Sequence, residues 1–166
     1  MKNSILFLLI AVFLFSSCDM KDDFENEESP LVEMAGEWYV HYDHNVYGPD
    51  PFEVGYTSLV TYNTSADDGN EMWINDEGNF WTYQVKIPVD LTALTFGSQD
   101  TVTNHIDGYD IKVLVRNGKI IKDASTRESE AIADSIYFEM WFEDLEGSTG
   151  IAGDTLIVSG YRRTGF

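Results

Sequence analysis

The sequence predicts an all-β fold, a single antiparallel β-barrel of about eight strands. From residue 31 onward, apolar side chains alternate with polar ones, which is the period of a half-buried antiparallel strand. Turn-forming residues interrupt the alternation at short intervals, and many short strands so spaced are typical of a sandwich or barrel. The strands are expected near residues 36–43, 55–63, 71–75, 80–89, 109–116, 119–123, 135–144 and 154–163.

Turn chemistry sets the boundaries of these strands. Asn117-Gly118 separates residues 109–116 from residues 119–123 and is a strong signal for a two-residue hairpin. Residues 90–108 are expected to form a short extra strand or a flap over one mouth of the barrel, because a connection of this length is usually functional or partly ordered. Residues 125–134 are expected to be a loop rather than a helical turn.

Residues 1–17 have the pattern of a signal peptide. Lys2 precedes an apolar run that ends at Phe15 and is too short to span a bilayer, which takes about 20 apolar residues. The following Ser-Ser-Cys, with Leu14 and Phe15 before it, resembles a lipobox, in which the cysteine is lipidated and becomes the new N-terminus. Cys18 is therefore the predicted lipidation site. It is the only cysteine, so no disulfide within the chain supports the fold.

Residues 18–30 are expected to be a flexible acidic tether, because so polar a segment buries too little apolar area to offset the entropy of ordering it. Lys21-Asp22-Asp23 resembles the surface-export signal of outer-membrane lipoproteins in a group of Gram-negative gut and oral bacteria. That resemblance implies an outer-membrane lipoprotein exposed at the cell surface. The alternative is an acidic spacer that faces the periplasm.

The charge of the barrel domain, residues 31–166, restricts its partners. These residues hold 23 acidic and 8 basic side chains, a net charge of −15. Such a surface repels nucleic acid and anionic head groups, so nucleic-acid binding is excluded. Membrane attachment is expected to come from lipid on the cysteine, since several acyl chains hold a protein firmly.

The two ends of the domain carry a barrel-closure pattern. Gly36-Glu37-Trp38 opens the first strand, and Arg162 lies near the end of the last, on the same face as Leu156 and Val158. In a closed antiparallel barrel with an even strand count, these two strands lie side by side in opposite directions. The pattern resembles the calycins, in which a tryptophan plugs the closed end and an arginine stacks on it. Arg163 is the competing partner, because a one-residue slip would exchange the two arginines.

Residues Leu31 to Trp38 and Val158 to Phe166 also resemble a family of small outer-membrane lipoproteins with a calycin-like barrel, described as lipid-binding putative hydrolase. The resemblance implies a calycin-like barrel and a membrane location. Hydrolysis is implied by the description of that family alone.

No catalytic motif accompanies this resemblance. The chain has no Gly-x-Ser-x-Gly elbow, and Ser58 and Ser159 are strand residues, expected to pair across strands rather than act as nucleophiles. His41 and Asp43 share one face of the first strand, the outer face if Trp38 points inward, and are expected to be a surface pair rather than a metal site. No catalytic residue, metal or cofactor is predicted.

The barrel interior is the predicted ligand site. Eight-stranded barrels are either filled by side chains or hold one small ligand, and the sequence leaves both outcomes open. Inward-facing candidates for ligand contact are Tyr42, Trp81, Tyr83, Phe138, Met140 and Phe142.

Three functions follow from these observations. The first is a membrane-anchored lipoprotein whose barrel binds a small apolar or amphipathic ligand. The second is a structural or accessory envelope lipoprotein with a filled barrel, docking onto other surface proteins through outer-face aromatics such as Trp73, Trp141 and Tyr161. The third is an ester hydrolase.

Overall fold

The computed structural model describes residues 28–126 and 131–164, which contain nine strands and one short helix. The predicted signal peptide, Cys18 and most of the predicted tether lie outside the described residues. The elements are β1 (Gly36–His44), β2 (Thr57–Asn63), β3 (Glu71–Asn75), β4 (Gln84–Asp90), β5 (Thr95–Phe96), β6 (Val102–Thr103), β7 (Lys112–Thr126), β8 (Ile132–Phe142), α1 (Leu145–Thr149) and β9 (Leu156–Arg162).

The strands close into a ring through antiparallel pairs. β1 lies between β2 and β9, and a short pairing of β5 with β7 completes the circuit. The ring contains β1, β2, β3, β4, β5, β7, β8 and β9, while β6 pairs with the first residues of β7. The predicted all-β class and closed eight-stranded barrel are confirmed. Within the described residues, no helix has the length and apolar character needed to cross a bilayer.

The hairpin predicted at Asn117-Gly118 is wrong, because β7 runs through both residues. Arg116 lies opposite Glu139 and Lys119 opposite Tyr137, so the two residues bulge out against a single residue of β8. Asn117 adopts the positive φ of 55° that such a bulge accommodates. A Cβ on Gly118 would lie 2.2 Å from the ring of Phe96, so glycine is what lets β5 close the barrel here.

Other boundaries also differ from the prediction. The stretch 90–108 supplies β5 and β6, which agrees with the extra-strand alternative rather than a flap. The predicted loop at 125–134 is partly wrong, since β7 extends to Thr126 and β8 starts at Ile132. The fourth strand begins at Gln84 instead of residue 80, because residues 76–83 fold around the side chain of Asp76.

Trp38 closes one end of the barrel. It is fully buried, and its indole N–H donates to Thr61 Oγ1 at 2.8 Å. The guanidinium carbon of Arg162 lies 4.7 Å from the centroid of the Trp38 ring, and its Nη1 donates to the carbonyl of Ala35 at 2.8 Å. Arg163 instead lies over Tyr39, 5.8 Å from that ring's centroid. Arg162 therefore seals the seam where β1 meets β9.

An acidic side chain supports this seal. Asp134 Oδ2 lies 3.1 Å from Arg162 Nε and 3.0 Å from Lys122 Nζ. Burial raises the pKa of Asp134, but the hydrogen bond from Lys122 and the charge of Arg162 outweigh it and hold the pKa below its usual value. Asp134 therefore stays ionised at neutral pH and fixes the orientation of the arginine.

Candidate functional site

The six predicted ligand contacts lie in or against the core of the barrel. Tyr42, Tyr83, Phe138, Met140 and Phe142 are fully buried, and Trp81 is half-buried. The ring of Trp81 stacks on Phe142 with centroids 5.2 Å apart. These side chains already pack against one another in the core, so a ligand among them would have to displace them. Ligand binding in the interior stays a prediction.

Two tyrosine hydroxyls meet at the centre of this core. Tyr42 Oη and Tyr83 Oη lie 3.1 Å apart. Burial raises the pKa of both phenols well above the ordinary value near 10. Both tyrosines therefore stay neutral at physiological pH, and one hydroxyl donates a hydrogen bond to the other.

An aromatic cluster covers the end of the barrel opposite Trp38. Phe52 lies 5.5 Å from Phe80 and 5.6 Å from Trp81, measured between ring centroids. Phe80 lies 4.3 Å from Tyr42, so the cluster continues directly into the core. The indole N–H of Trp81 donates to Asp144 Oδ1 at 3.0 Å, which ties the cluster to the residue before α1.

The carboxylate of Asp76 shapes the turn that carries two of these rings. Asp76 is fully buried. Its Oδ1 accepts backbone N–H groups at 3.0 and 2.9 Å, and its Oδ2 accepts three more at 3.1, 3.0 and 2.9 Å. The donors are Gly78, Phe80, Trp81, Thr82 and Tyr83. The carboxylate of Asp76 thus accepts the hydrogen bonds from backbone N–H groups that a neighbouring strand would otherwise accept.

A Ser-His-Asp arrangement lies on the outer face of the wall formed by β1 and β9. Ser159 is the cross-strand partner of His41, and its Oγ lies 3.0 Å from His41 Nε2. Asp43 follows two residues later on the same face, with Oδ1 3.0 Å from His41 Nδ1. Asp43 Oδ1 also accepts the backbone N–H of Asp50 at 3.2 Å, which helps to fix the carboxylate.

The hydrogen bonds around His41 fit one tautomer of a neutral imidazole. Asp43 can only accept when it is ionised, so His41 Nδ1–H donates to it. His41 Nε2 is then the acceptor for the hydroxyl of Ser159. The side chains of His41 and Asp43 are 28% and 26% exposed, so the pair is sheltered but reachable from solvent.

An open groove of about 250 Å³ lies over Ser159. We call it the outer groove. Its lining consists of His41, Tyr56, Ser125, Ser135, Ile136, Tyr137, Ser159, Gly160 and Tyr161. Tyr56 packs edge-on against His41 with centroids 5.2 Å apart, and against Tyr161 at 5.6 Å. Aromatic rings and hydroxyls therefore surround the serine.

A second His-Asp pair shows by contrast what a structural histidine looks like in this chain. His44 Nε2 lies 2.8 Å from Asp154 Oδ2, and both side chains are fully buried. His44 Nδ1 accepts the backbone N–H groups of Val46 and Tyr47, each at 3.1 Å. Both nitrogens are thereby occupied, and the hydroxyl of Thr149 donates to Asp154 rather than to the ring. His44 ties two loops together and has no nitrogen left for a nucleophile.

His41, Asp43 and Ser159 are all visible in the sequence, but no local pattern joins them. The alternation along the strands predicts a surface pair for the first two and a cross-strand pairing residue for the third. The available signal is the predicted pairing of Trp38 with Arg162. His41 lies three residues after Trp38 on β1, and Ser159 lies three residues before Arg162 on β9. The register that pairs Trp38 with Arg162 therefore also pairs His41 with Ser159.

The predicted outer-face aromatics Trp73, Trp141 and Tyr161 are half-buried, and docking onto a protein partner stays a prediction. In the part of the chain that the structure describes, no group of three or more His, Cys, Asp or Glu side chains is placed to hold a metal ion.

Comparison with known proteins places the chain in a family. The family model described as Lipid-binding putative hydrolase matches residues 23–166, which is most of the chain. A search among curated proteins finds no match. The matched segment spans the whole barrel, including both strands that carry the Ser-His-Asp arrangement. The chain therefore belongs to the lipid-binding putative hydrolase family.

Proposed function

We propose that this chain is an outer-membrane lipoprotein, anchored by lipid on Cys18, whose barrel binds a small neutral amphipathic lipid in the outer groove. The observation that carries the binding proposal is the groove itself, a solvent-open recess walled by Tyr56, Tyr137 and Tyr161. Membership of a lipid-binding family supports the class of ligand. The six interior side chains are already packed, which favours the groove over the core.

The lining of the groove suits an amphipathic ligand rather than a purely apolar one. Tyrosine rings offer apolar area to an acyl chain, and their hydroxyls offer hydrogen bonds to a polar head. Ser125 and Ser135 add two further hydroxyls. The groove volume of about 250 Å³ is slightly smaller than the pockets that hold drug-sized ligands, which start at about 300 Å³. The groove therefore suits a short acyl segment with its head group.

The negative charge of the domain limits which lipid head groups can bind. The domain carries a net charge of −15, and the carboxylate of Asp43 lies behind His41 at the groove. A negative surface disfavours phosphate and carboxylate head groups through long-range repulsion. Uncharged esters of fatty acids, such as acylglycerols, are the lipids that this surface admits most readily.

The anchoring proposal rests on the N-terminal pattern and on where the domain begins. Ser29 donates to Asp67 Oδ1 at 2.6 Å, and Leu31 and Met34 are buried beside the Trp38 end of the barrel. The first described residues thus join the barrel at its sealed end. Lys21-Asp22-Asp23 favours the cell surface over the periplasm.

Metabolic labelling tests the anchor. Cells of a Gram-negative host from the group that uses this surface-export signal, expressing the full chain with labelled palmitate, should yield a labelled, membrane-bound product, because Cys18 is the lipid acceptor. Cys18→Ser should abolish both the label and membrane retention. Replacing Lys21, Asp22 and Asp23 by alanine should keep the label but protect the protein from protease added to intact cells. Palmitate label on the Cys18→Ser chain would contradict the proposal.

Binding to the groove is tested with 1-O-octylglycerol, a neutral ether that has a short alkyl chain and no ester bond. Titration followed by NMR of the mature, unacylated protein should shift the Tyr56, Tyr137 and Ser159 signals. Tyr137→Ala should weaken binding by about tenfold, because one aromatic wall is worth roughly 1.4 kcal/mol. Tyr47→Ala is the control, since Tyr47 is also a tyrosine but lies outside the groove lining.

Two outcomes would count against groove binding. Perturbation confined to Tyr42, Phe138 and the Met140 methyl would place the ligand inside the barrel. Equal loss of affinity in Tyr137→Ala and Tyr47→Ala would show that the probe binds without selecting the groove.

A further inference from the structure

We infer that Ser159, His41 and Asp43 form a hydrolytic relay that cleaves carboxylic esters lying in the outer groove. The identity of the substrate as a neutral acyl ester rests on the proposed function above. The relay itself rests on separate geometry, the two 3.0 Å contacts that join the three side chains in the order Ser-His-Asp.

Each contact has the length that nucleophilic catalysis needs. A serine nucleophile and its base work within about 2.6–3.2 Å, with the base held by a third group. His41 Nε2 faces the Ser159 hydroxyl, and His41 Nδ1 faces a carboxylate that the Asp50 N–H also contacts. Asp43 is a positioning residue here, because it acts on the reaction only through the imidazole.

Access distinguishes this serine from another strand serine. Ser159 lines the outer groove, which is open to solvent, so a carbonyl carbon can approach its Oγ. Ser58 is also half-buried on a strand, but its hydroxyl donates to Glu77 Oε2 at 3.2 Å and has no histidine partner among the described residues. Ser58 is therefore the natural control.

The reaction needs only the ester and water. Ser159 Oγ forms a bond to the ester carbonyl carbon while its proton passes to His41 Nε2. The carbon–oxygen bond to the alcohol then breaks, and the alcohol leaves with the proton from Nε2. Water next gives a proton to Nε2 and bonds to the acyl carbon. The Oγ–acyl bond breaks, the acid departs, and Ser159 recovers its proton.

The negative charge that develops on the carbonyl oxygen requires a donor nearby, and such donors are often the largest single contribution to the rate. Ser125 and Ser135 bring two hydroxyl donors to the same groove. Both lie on the strands beyond β9, so an ester held over Ser159 would direct its carbonyl oxygen toward β7 and β8.

A fluorophosphonate probe tests the nucleophile directly. The serine oxygen displaces fluoride from phosphorus, and intact mass spectrometry of the mature protein counts the adduct. We expect one adduct, mapped by peptide sequencing to Ser159, absent in Ser159→Ala and retained in Ser58→Ala. His41→Gln should slow labelling at least about 100-fold, the usual contribution of a general base. Each variant should unfold within a few degrees of the wild-type temperature, because all three side chains lie outside the core.

Turnover of 4-nitrophenyl octanoate provides the second readout. The wild type should release nitrophenol, and Ser159→Ala should lose the release while still binding 1-O-octylglycerol. Asp43→Asn should lower kcat while the KM for 4-nitrophenyl octanoate stays the same, because Asp43 holds the imidazole and is not itself part of the groove lining. A merely structural Asp43 would leave kcat where it was.

The results separate this inference from lipid binding. Adduct formation at Ser159 without 1-O-octylglycerol binding would sustain the relay and overturn the proposed ligand. Binding without adduct or turnover would sustain the ligand and overturn the relay. Labelling at any other serine, or labelling of Ser159 unaffected by His41→Gln, would also overturn the relay.

Discussion

Replacing Gly160 with alanine is expected to lower the free energy of unfolding by about 3 kcal/mol, the upper end of the usual cost of overpacking. A Cβ at this position would lie 2.0 Å from the carbonyl oxygen of Tyr39 and 2.7 Å from the Cα of Val40. Gly160 pairs with Val40 on one side and Ile136 on the other. Because strands flank β9 on both sides, β9 cannot shift sideways to make room for the added methyl group. The clash would open the β1–β9 seam next to Trp38 and Arg162.

Urea denaturation followed by tryptophan fluorescence measures this loss, with Gly147→Ala as the matched control. Gly147 lies within α1, and a methyl group added there would meet no atom within 4 Å. Alanine at this position should be neutral or stabilise by up to about 1 kcal/mol, because it favours the helix. A Gly160→Ala protein whose free energy of unfolding stays within about 1 kcal/mol of wild type would show that the seam tolerates a wider spacing.

Replacing Asp76 with alanine is expected to cost a similar amount, about 3–5 kcal/mol. Five backbone N–H groups would lose their acceptor in a place that excludes water. The turn that carries Phe80 and Trp81 would lose its framework, so the aromatic cover of the barrel should loosen as well. Asp76→Asn should cost less, because one carbonyl oxygen stays in place.

Hydrogen exchange and thermal unfolding test this expectation. Asp68→Ala serves as the control, since Asp68 is an exposed aspartate that accepts a backbone N–H from Asn70 in a surface turn. It should change stability by less than about 1 kcal/mol. If amides 78–83 exchange as slowly in Asp76→Ala as in wild type, the carboxylate does not hold the turn.

Much of the fold could be read from the sequence because strand periodicity and barrel topology are tightly linked. Alternation alone predicts the all-β class, and a ring of eight strands determines which strands become neighbours. The juxtaposition of Trp38 with the last strand follows from that closure. The match to a lipid-binding family covers the same barrel.

The misread features share a physical cause, which is that the deciding contact comes from far along the chain. Asn117-Gly118 has the chemistry of a hairpin, yet the ring of Phe96 and the length of β8 turn it into a bulge. Residues 80–83 have the apolar alternation of a strand, but their backbone N–H groups donate to the carboxylate of Asp76 and not to a neighbouring strand.

The Ser-His-Asp arrangement is hidden in the sequence for a related reason. Its members are 118 residues apart at the widest, and none carries a local motif. Only the register of β1 against β9 unites them, and the sequence signals that register through the barrel-closure residues alone. The contact between His41 and Ser159 becomes visible when each outward-facing residue of β1 is paired with its expected neighbour on β9.

The alternation of side chains along β1 and β9 also has an evolutionary consequence. Val40, Tyr42 and Val158 belong to the core, whereas His41, Asp43 and Ser159 stand between them on the outer wall. Selection can therefore alter the chemistry of the wall while the neighbouring positions keep the protein above its stability threshold. For a protein engineer, the same strands form a scaffold on which the outward positions can be randomised as a library and the inward ones left unchanged.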